Sequence, residues 1–144
     1  MNAEKLIGAW KLVSARYESA DGKVNEIYGA NPNGLLVYNP NGQMTIQIFR
    51  SDRPQFAKND RLGGTPTETK SAFDGMMSYF GTFTVDEQNQ TVTHHLVGAW
   101  LPNWVGSDQT RRFELTQDRL ILRTPPLTID GVQMTGQLVW ERAG

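Results

Sequence analysis

The chain has 144 residues, 14 Lys and Arg against 15 Asp and Glu, a formal net charge of −1 and no cysteine. That length suits one domain, residues 1–144, and the balanced charge exerts no general pull on nucleic acid or an anionic membrane. The absence of cysteine excludes disulfides, thiolate metal sites and cysteine nucleophiles.

The N-terminal residues MNAEKLIGAWKLV have neither a basic stretch ahead of a long apolar run nor a small-residue cleavage site, and no later segment is as long as a membrane span. A cytoplasmic location is the expectation. After a short helical turn at Ala3 to Ile7, alternation of period two predicts a first strand from about Ala9 to Glu18. The tetrapeptide NPNG occurs at Asn31 to Gly34 and again at Asn39 to Gly42, and Pro, Asn and Gly in that order make each copy a turn signal. Strands follow at Leu35 to Tyr38 and Gln43 to Arg50, the latter placing Met44, Ile46, Ile48 and Arg50 on one face. Residues 51–64 show no period and read as a loop. The TPTE at Thr65 to Glu68 is a capping box with Pro at the first helical position, and it predicts a helix over 66–78 with Ala72, Phe73, Met76 and Met77 on one face. Further strands are expected at 79–85, 91–99, 107–116, 119–124 and 134–142, with WLPNWVG as a loop. Eight strands joined mostly by short turns, with one helix, describe an all-β, antiparallel, up-and-down barrel, which has room for packed side chains or one small ligand. An apolar share of 38%, against about 45–50% in packed domains, suits an interior partly lined by polar groups, and equally a long surface loop.

Both histidines and a double arginine fall within HHLVGAWLPNWVGSDQTRR, His94 to Arg112. Neighbours on a strand point to opposite faces, so His94 and His95 cannot chelate one metal, and no metal site is expected. Val92, His94 and Leu96 form the bulkier row, which directs His94 inward, either as a hydrogen-bonded core residue or as a ligand or catalytic group. On the next strand Phe113 and Leu115 mark the inside, turning Arg111 inward and leaving Arg112 with Glu114 on the solvated face. A buried guanidinium needs a partner: Glu68, Glu141, a pocket histidine or an anionic ligand. Arg50, ending an inward row near the mouth, has the same two readings. Trp100 and Trp104 either pack over a barrel end or form a gate or wall for a planar ligand, and Tyr38 and Tyr79 can add hydroxyls there. The chain has no Gly-x-Ser-x-Gly elbow, P-loop, His-Glu-x-x-His or dinucleotide fingerprint, so no cofactor is expected.

The Gly8–Ala9–Trp10 triplet after a helical turn resembles the Gly-x-Trp start of lipocalins and related calycins. More narrowly, LIGAWKLVS, GANPNGLLVYNPNGQM, YFGTFTVDEQNQTVTHHL, LPNWVGSDQTRRF and LVWER, in order across nearly the whole chain, resemble the bacterial and fungal lipocalin-like domain family. The resemblance implies a calycin-type barrel with a central pocket, closed by Trp10 beneath Arg142, and some relatives stand near secondary-metabolite pathways. The leading expectation is a barrel that binds a small, mostly apolar, aromatic or polyketide-like metabolite. Tyr38, Ile48, Arg50, Tyr79, Phe83, His94, Trp100, Trp104, Arg111 and Phe113 are its candidate lining. The alternative is a cofactor-independent isomerase, dehydratase or cyclase, with His94 as acid and base and Arg111 and Tyr79 stabilising a developing oxyanion.

Overall fold

The computed structural model describes residues 2–144. Helix α1 (Asn2–Leu6) precedes β1 (Gly8–Ser19), followed by β2 (Val24–Asn25), β3 (Asn33–Tyr38) and β4 (Gln43–Phe49). Helix α2 (Pro66–Asp74) leads into β5 (Met76–Asp86), β6 (Thr91–Ala99), a 3-10 turn at Pro102–Trp104, β7 (Asp108–Leu115), β8 (Arg119–Arg123), β9 (Leu127–Ile129) and β10 (Val132–Arg142). Each strand of β1-β3-β4-β5-β6-β7-β8-β10 pairs antiparallel with the next, and β1 pairs back onto β10. This is a closed, eight-stranded, antiparallel barrel. The short β2 and β9 extend β1 and β10 at one rim.

Alternation sends one face of every strand inward. Met44, Ile46 and Ile48 of β4, Val92, His94 and Leu96 of β6, and Leu120 and Leu122 of β8 are all buried. In β1 the alternation switches phase: Trp10 and Leu12 are inside, a bulge follows between Leu12 and Ser14, and Ala15 and Tyr17 are then the buried residues.

One end of the barrel is a sealed floor. Gly8 has φ +123, a conformation L side chains avoid, and a Cβ there would meet the Arg142 guanidinium at 2.9 Å. The chain can therefore turn from α1 into β1 beneath Arg142, whose guanidinium carbon lies 3.9 Å from the centroid of the fully buried Trp10 ring. Arg142 donates to the carbonyls of Ile7, at 2.7 Å, and Lys5, while the Trp10 indole donates to Leu6 O at 2.9 Å. The short hairpins β3–β4, β5–β6 and β7–β8 lie at this end, and Ala3 N donates to Glu87 in the second of them. The long connections, 20–32, 50–75, 100–107 and 124–131, crowd the opposite mouth.

Two local expectations differ from the structure. Helix α2 has the capping box on Thr65 and Glu68, but it stops at Asp74, with Gly75 as its C-cap. Met76 and Met77 therefore begin β5 and pair with Phe49 and Ile48, because the sheet ladder outcompetes one more helical turn. The two NPNG copies also part company. The second closes the β3–β4 hairpin, with Gly42 N donating to Asn39 O at 3.0 Å, whereas Asn33 and Gly34 of the first already belong to β3.

Where β5 meets β6 the register slips between Phe80 and Gly81, and a Cβ on Gly81 would stand 1.8 Å from the backbone oxygen of His95. That oxygen cannot move without breaking the ladder. Gly81→Ala is therefore expected to destabilise the barrel by about 3 kcal/mol or more, read as a lowered denaturation midpoint.

Candidate functional site

The two adjacent histidines have opposite surroundings. His95 faces outward, where its Nδ1 lies 2.8 Å from Asp108 Oδ1 and its Nε2 lies 3.0 Å from Thr84 Oγ1. His94 is 1% exposed inside the barrel. Its Nε2 lies 2.6 Å from the Tyr38 hydroxyl, supplied by the floor end of β3, and its Nδ1 lies 2.6 Å from the Tyr79 hydroxyl, supplied by the mouth half of β5. Burial, reinforced by the positive charge of Arg111, pushes the His94 pKa down to about 3. The ring is therefore neutral across the physiological range, with one N–H: it donates to one tyrosine and accepts from the other. The tyrosine that accepts keeps its own O–H proton unspent.

Arg111, on the inward face of β7, is 8% exposed. Its Nη1 donates to Thr110 O at 3.0 Å, and among the described residues no carboxylate lies within ion-pair distance of it. Neither Glu68 nor Glu141 is its partner: Glu68 serves the capping box and also accepts from Ala57 N at 2.7 Å. On the outer face, Glu114 pairs with Arg123 rather than with Arg112. The charge of Arg111 bears on His94 and on Tyr17, Tyr28, Tyr38 and Tyr79, all four tyrosines of the chain and all buried. Burial nevertheless dominates and raises every tyrosine, Tyr79 to about 12, so all remain protonated donors. Among the described residues the fully buried Trp140 indole N–H has no hydrogen-bond partner. The barrel interior is thus rich in donors and holds one uncompensated cation, while His94, Arg111 and Thr124 are the buried polar or charged residues among those described.

From this polar centre a line of aromatic contacts leads out to the mouth. Phe83 packs on Tyr38 at a centroid distance of 4.7 Å, Tyr38 and Tyr79 each lie 5.6 Å from His94, and Tyr79 lies 6.1 Å from Trp104. Trp104 meets Trp100 edge-on at 5.2 Å, and Trp100 reaches Phe73 of α2 at 6.4 Å. Ile48 and Phe113 belong to the same buried core. Arg50 does not join the interior: at the rim it forks onto Asp52, at 2.9 and 3.0 Å, and donates to Ile27 O at 3.1 Å. Tyr17 and Tyr28 were not among the sequence candidates. Tyr17 is brought inside by the β1 bulge, and Tyr28 is folded in from the connection between β2 and β3.

The depressed pKa of His94 makes stability depend on pH. Below about pH 6 the unfolded imidazole takes up a proton that the folded one refuses until about pH 3, so stability falls as pH drops through that window. Denaturant melts of the parent and of His94→Gln between these limits are expected to diverge by about 1.4 kcal/mol per pH unit, the parent losing more. Superimposable profiles would exclude a neutral buried His94.

Fold and interior together define a calycin-type barrel with a polar centre. A family model described as a lipocalin-like domain matches residues 7–143, and the chain belongs to that family. It is also similar to the 4'-hydroxy-3'-methoxypropiophenone carrier protein ppsC of Aspergillus oryzae (strain ATCC 42149 / RIB 40). The two are 32% identical over 106 residues, which cover 69% of this chain and 96% of the relative. No helix among the described residues is long and apolar enough to cross a membrane.

Proposed function

We propose that this protein binds a small, mostly apolar, ring-bearing metabolite inside the barrel, with a hydrogen-bond acceptor of the ligand directed at Arg111. Arg111 is the observation that carries this reading: a buried cation with no carboxylate partner among the described residues, in an interior whose tyrosines stay protonated. An acceptor-bearing ligand completes that set. Phe83, Phe113 and Ile48 supply apolar wall, Tyr38 and Tyr79 polar contacts, and Trp100 and Trp104 cover the mouth. The relative is named as the carrier of 4'-hydroxy-3'-methoxypropiophenone, a phenol bearing an aryl ketone, which supports aromatic ketones as the ligand class.

A saturating panel of aryl ketones and aromatic carboxylates tests the proposal. Binders are expected to quench the fluorescence of Trp100 and Trp104 and to raise stability by about 2.7 kcal/mol at a hundredfold excess over Kd. Neither quenching nor a thermal shift across the panel overturns the binding role.

The geometry does not favour His94 as an acid–base catalyst. Both ring nitrogens are held by tyrosine hydroxyls, and a base whose conjugate acid titrates near pH 3 has little proton affinity at neutral pH.

A further inference from the structure

We infer that the barrel takes its ligand as an anion: a phenol conjugated to a ketone gives up its proton on entering, and the resulting oxyanion becomes the counter-ion of Arg111. This deepens the binding role proposed above and rests on it.

The case starts from charge. Arg111 is 8% exposed, and among the described residues its one hydrogen bond goes to the Thr110 carbonyl and none of the groups whose charge it affects is negative. Tyr17 on β1, Tyr28 from the β2–β3 connection, Tyr38 on β3 and Tyr79 on β5 are buried phenols kept protonated, and His94 on β6 is a neutral imidazole clamped between two of them. No carboxylate is among the buried residues described. A bare cation in such surroundings is costly. A neutral carbonyl would accept its hydrogen bonds and leave the charge in place, whereas an oxyanion removes both deficits at once and makes the stronger, charge-assisted bond. The tyrosine whose proton is unspent on His94 can donate to the same oxygen, so His94 acts as a positioning residue that holds two phenols at fixed spacing.

The chemistry of the ligand fits. In a phenol with an acyl group opposite the hydroxyl, the negative charge spreads onto the carbonyl oxygen, so ionisation is easier than in a simple phenol and far easier than in a buried tyrosine. The O–H bond breaks heterolytically, the electron pair stays on oxygen and the proton passes to solvent. No oxidant or cofactor is required.

The test uses the intact protein with two probes, 4'-hydroxy-3'-methoxypropiophenone and its 4'-O-methyl ether, which cannot ionise. The measurement is made about two pH units below the free phenol's own titration, where the free ligand is almost wholly protonated. The bound phenol is expected to show the red-shifted absorption band of the phenolate and to release one proton per molecule, read by calorimetry in two buffers of different ionisation enthalpy. The ether is expected to bind at least about tenfold more weakly and to release none. A bound spectrum of the neutral phenol, with the ether binding equally well, overturns the inference and leaves the binding role standing. Failure of both probes while other members of the panel bind overturns it too; failure of every compound removes the binding role itself. In Arg111→Met the phenolate band should vanish from whatever ligand still binds, and in Arg111→Lys it should persist. A band that survives Arg111→Met shows that another group is the counter-ion.

Discussion

Arg111→Met is expected to leave the barrel at least as stable as the parent and to weaken aromatic-ligand binding by about 30-fold or more. The two halves of this result have one origin. The guanidinium is largely buried, and among the described residues its one hydrogen bond goes to the neighbouring carbonyl of Thr110. Methionine restores an apolar side chain of similar length, and such exchanges of buried charge for packed hydrophobic volume are neutral or stabilising by about 1–4 kcal/mol. In the binding mode proposed above the same guanidinium faces the ligand's acceptor, and losing a buried, charge-assisted bond costs about 2 kcal/mol or more. Thermal melts with and without ligand separate the two terms. A structural role for Arg111 predicts the reverse pattern: a lowered melting temperature in the unliganded protein.

Trp10→Ala is expected to cost about 3–5 kcal/mol, roughly 10–15 °C in melting temperature, with a smaller loss of about 2 kcal/mol for Arg142→Ala. Trp10 is fully buried and donates to Leu6 O, so its removal leaves a floor-sized cavity and an unpaired carbonyl. Arg142 is the opposite of Arg111. Its charge lies over the Trp10 ring, and its N–H groups satisfy the carbonyls of Ile7 and Lys5, orphan acceptors at the end of α1. All its partners are protein, so its loss is read in stability. Because the floor closes the end of the barrel away from Trp100 and Trp104, ligand affinity measured well below the melting temperature should change little in Arg142→Ala. A large fall in affinity there, with stability unchanged, would place the ligand at the floor instead.

Several parts of this architecture were legible in the chain itself, because they depend on local chemistry. Period-two alternation separates the strand faces, which is why Val92, His94 and Leu96 can be assigned inward, and Arg111 apart from Arg112, without coordinates. The Thr65–Glu68 capping box marks the start of α2 because its hydrogen bonds span three residues. The barrel floor was legible by a different route, through the resemblance of the Gly8 to Trp10 triplet and the closing Arg142 to the lipocalin pattern.

What tertiary structure alone decided depends on which strands become neighbours. A single extra residue in β1 reverses its alternation, so Tyr17 faces inward, where the spacing from Trp10 would place Ser14 and Arg16. Pairing with β4 draws Met76 and Met77 out of the helix into β5, and pairing within β3 makes one NPNG the beginning of a strand while its twin remains a turn. The clamp on His94 joins residues from β3, β5 and β6, and no spacing along the chain encodes it. Most consequential is the missing partner of Arg111. Alternation can show that a guanidinium points inward, but only closure of the barrel, by deciding which side chains share that interior, shows that none of the described carboxylates comes with it.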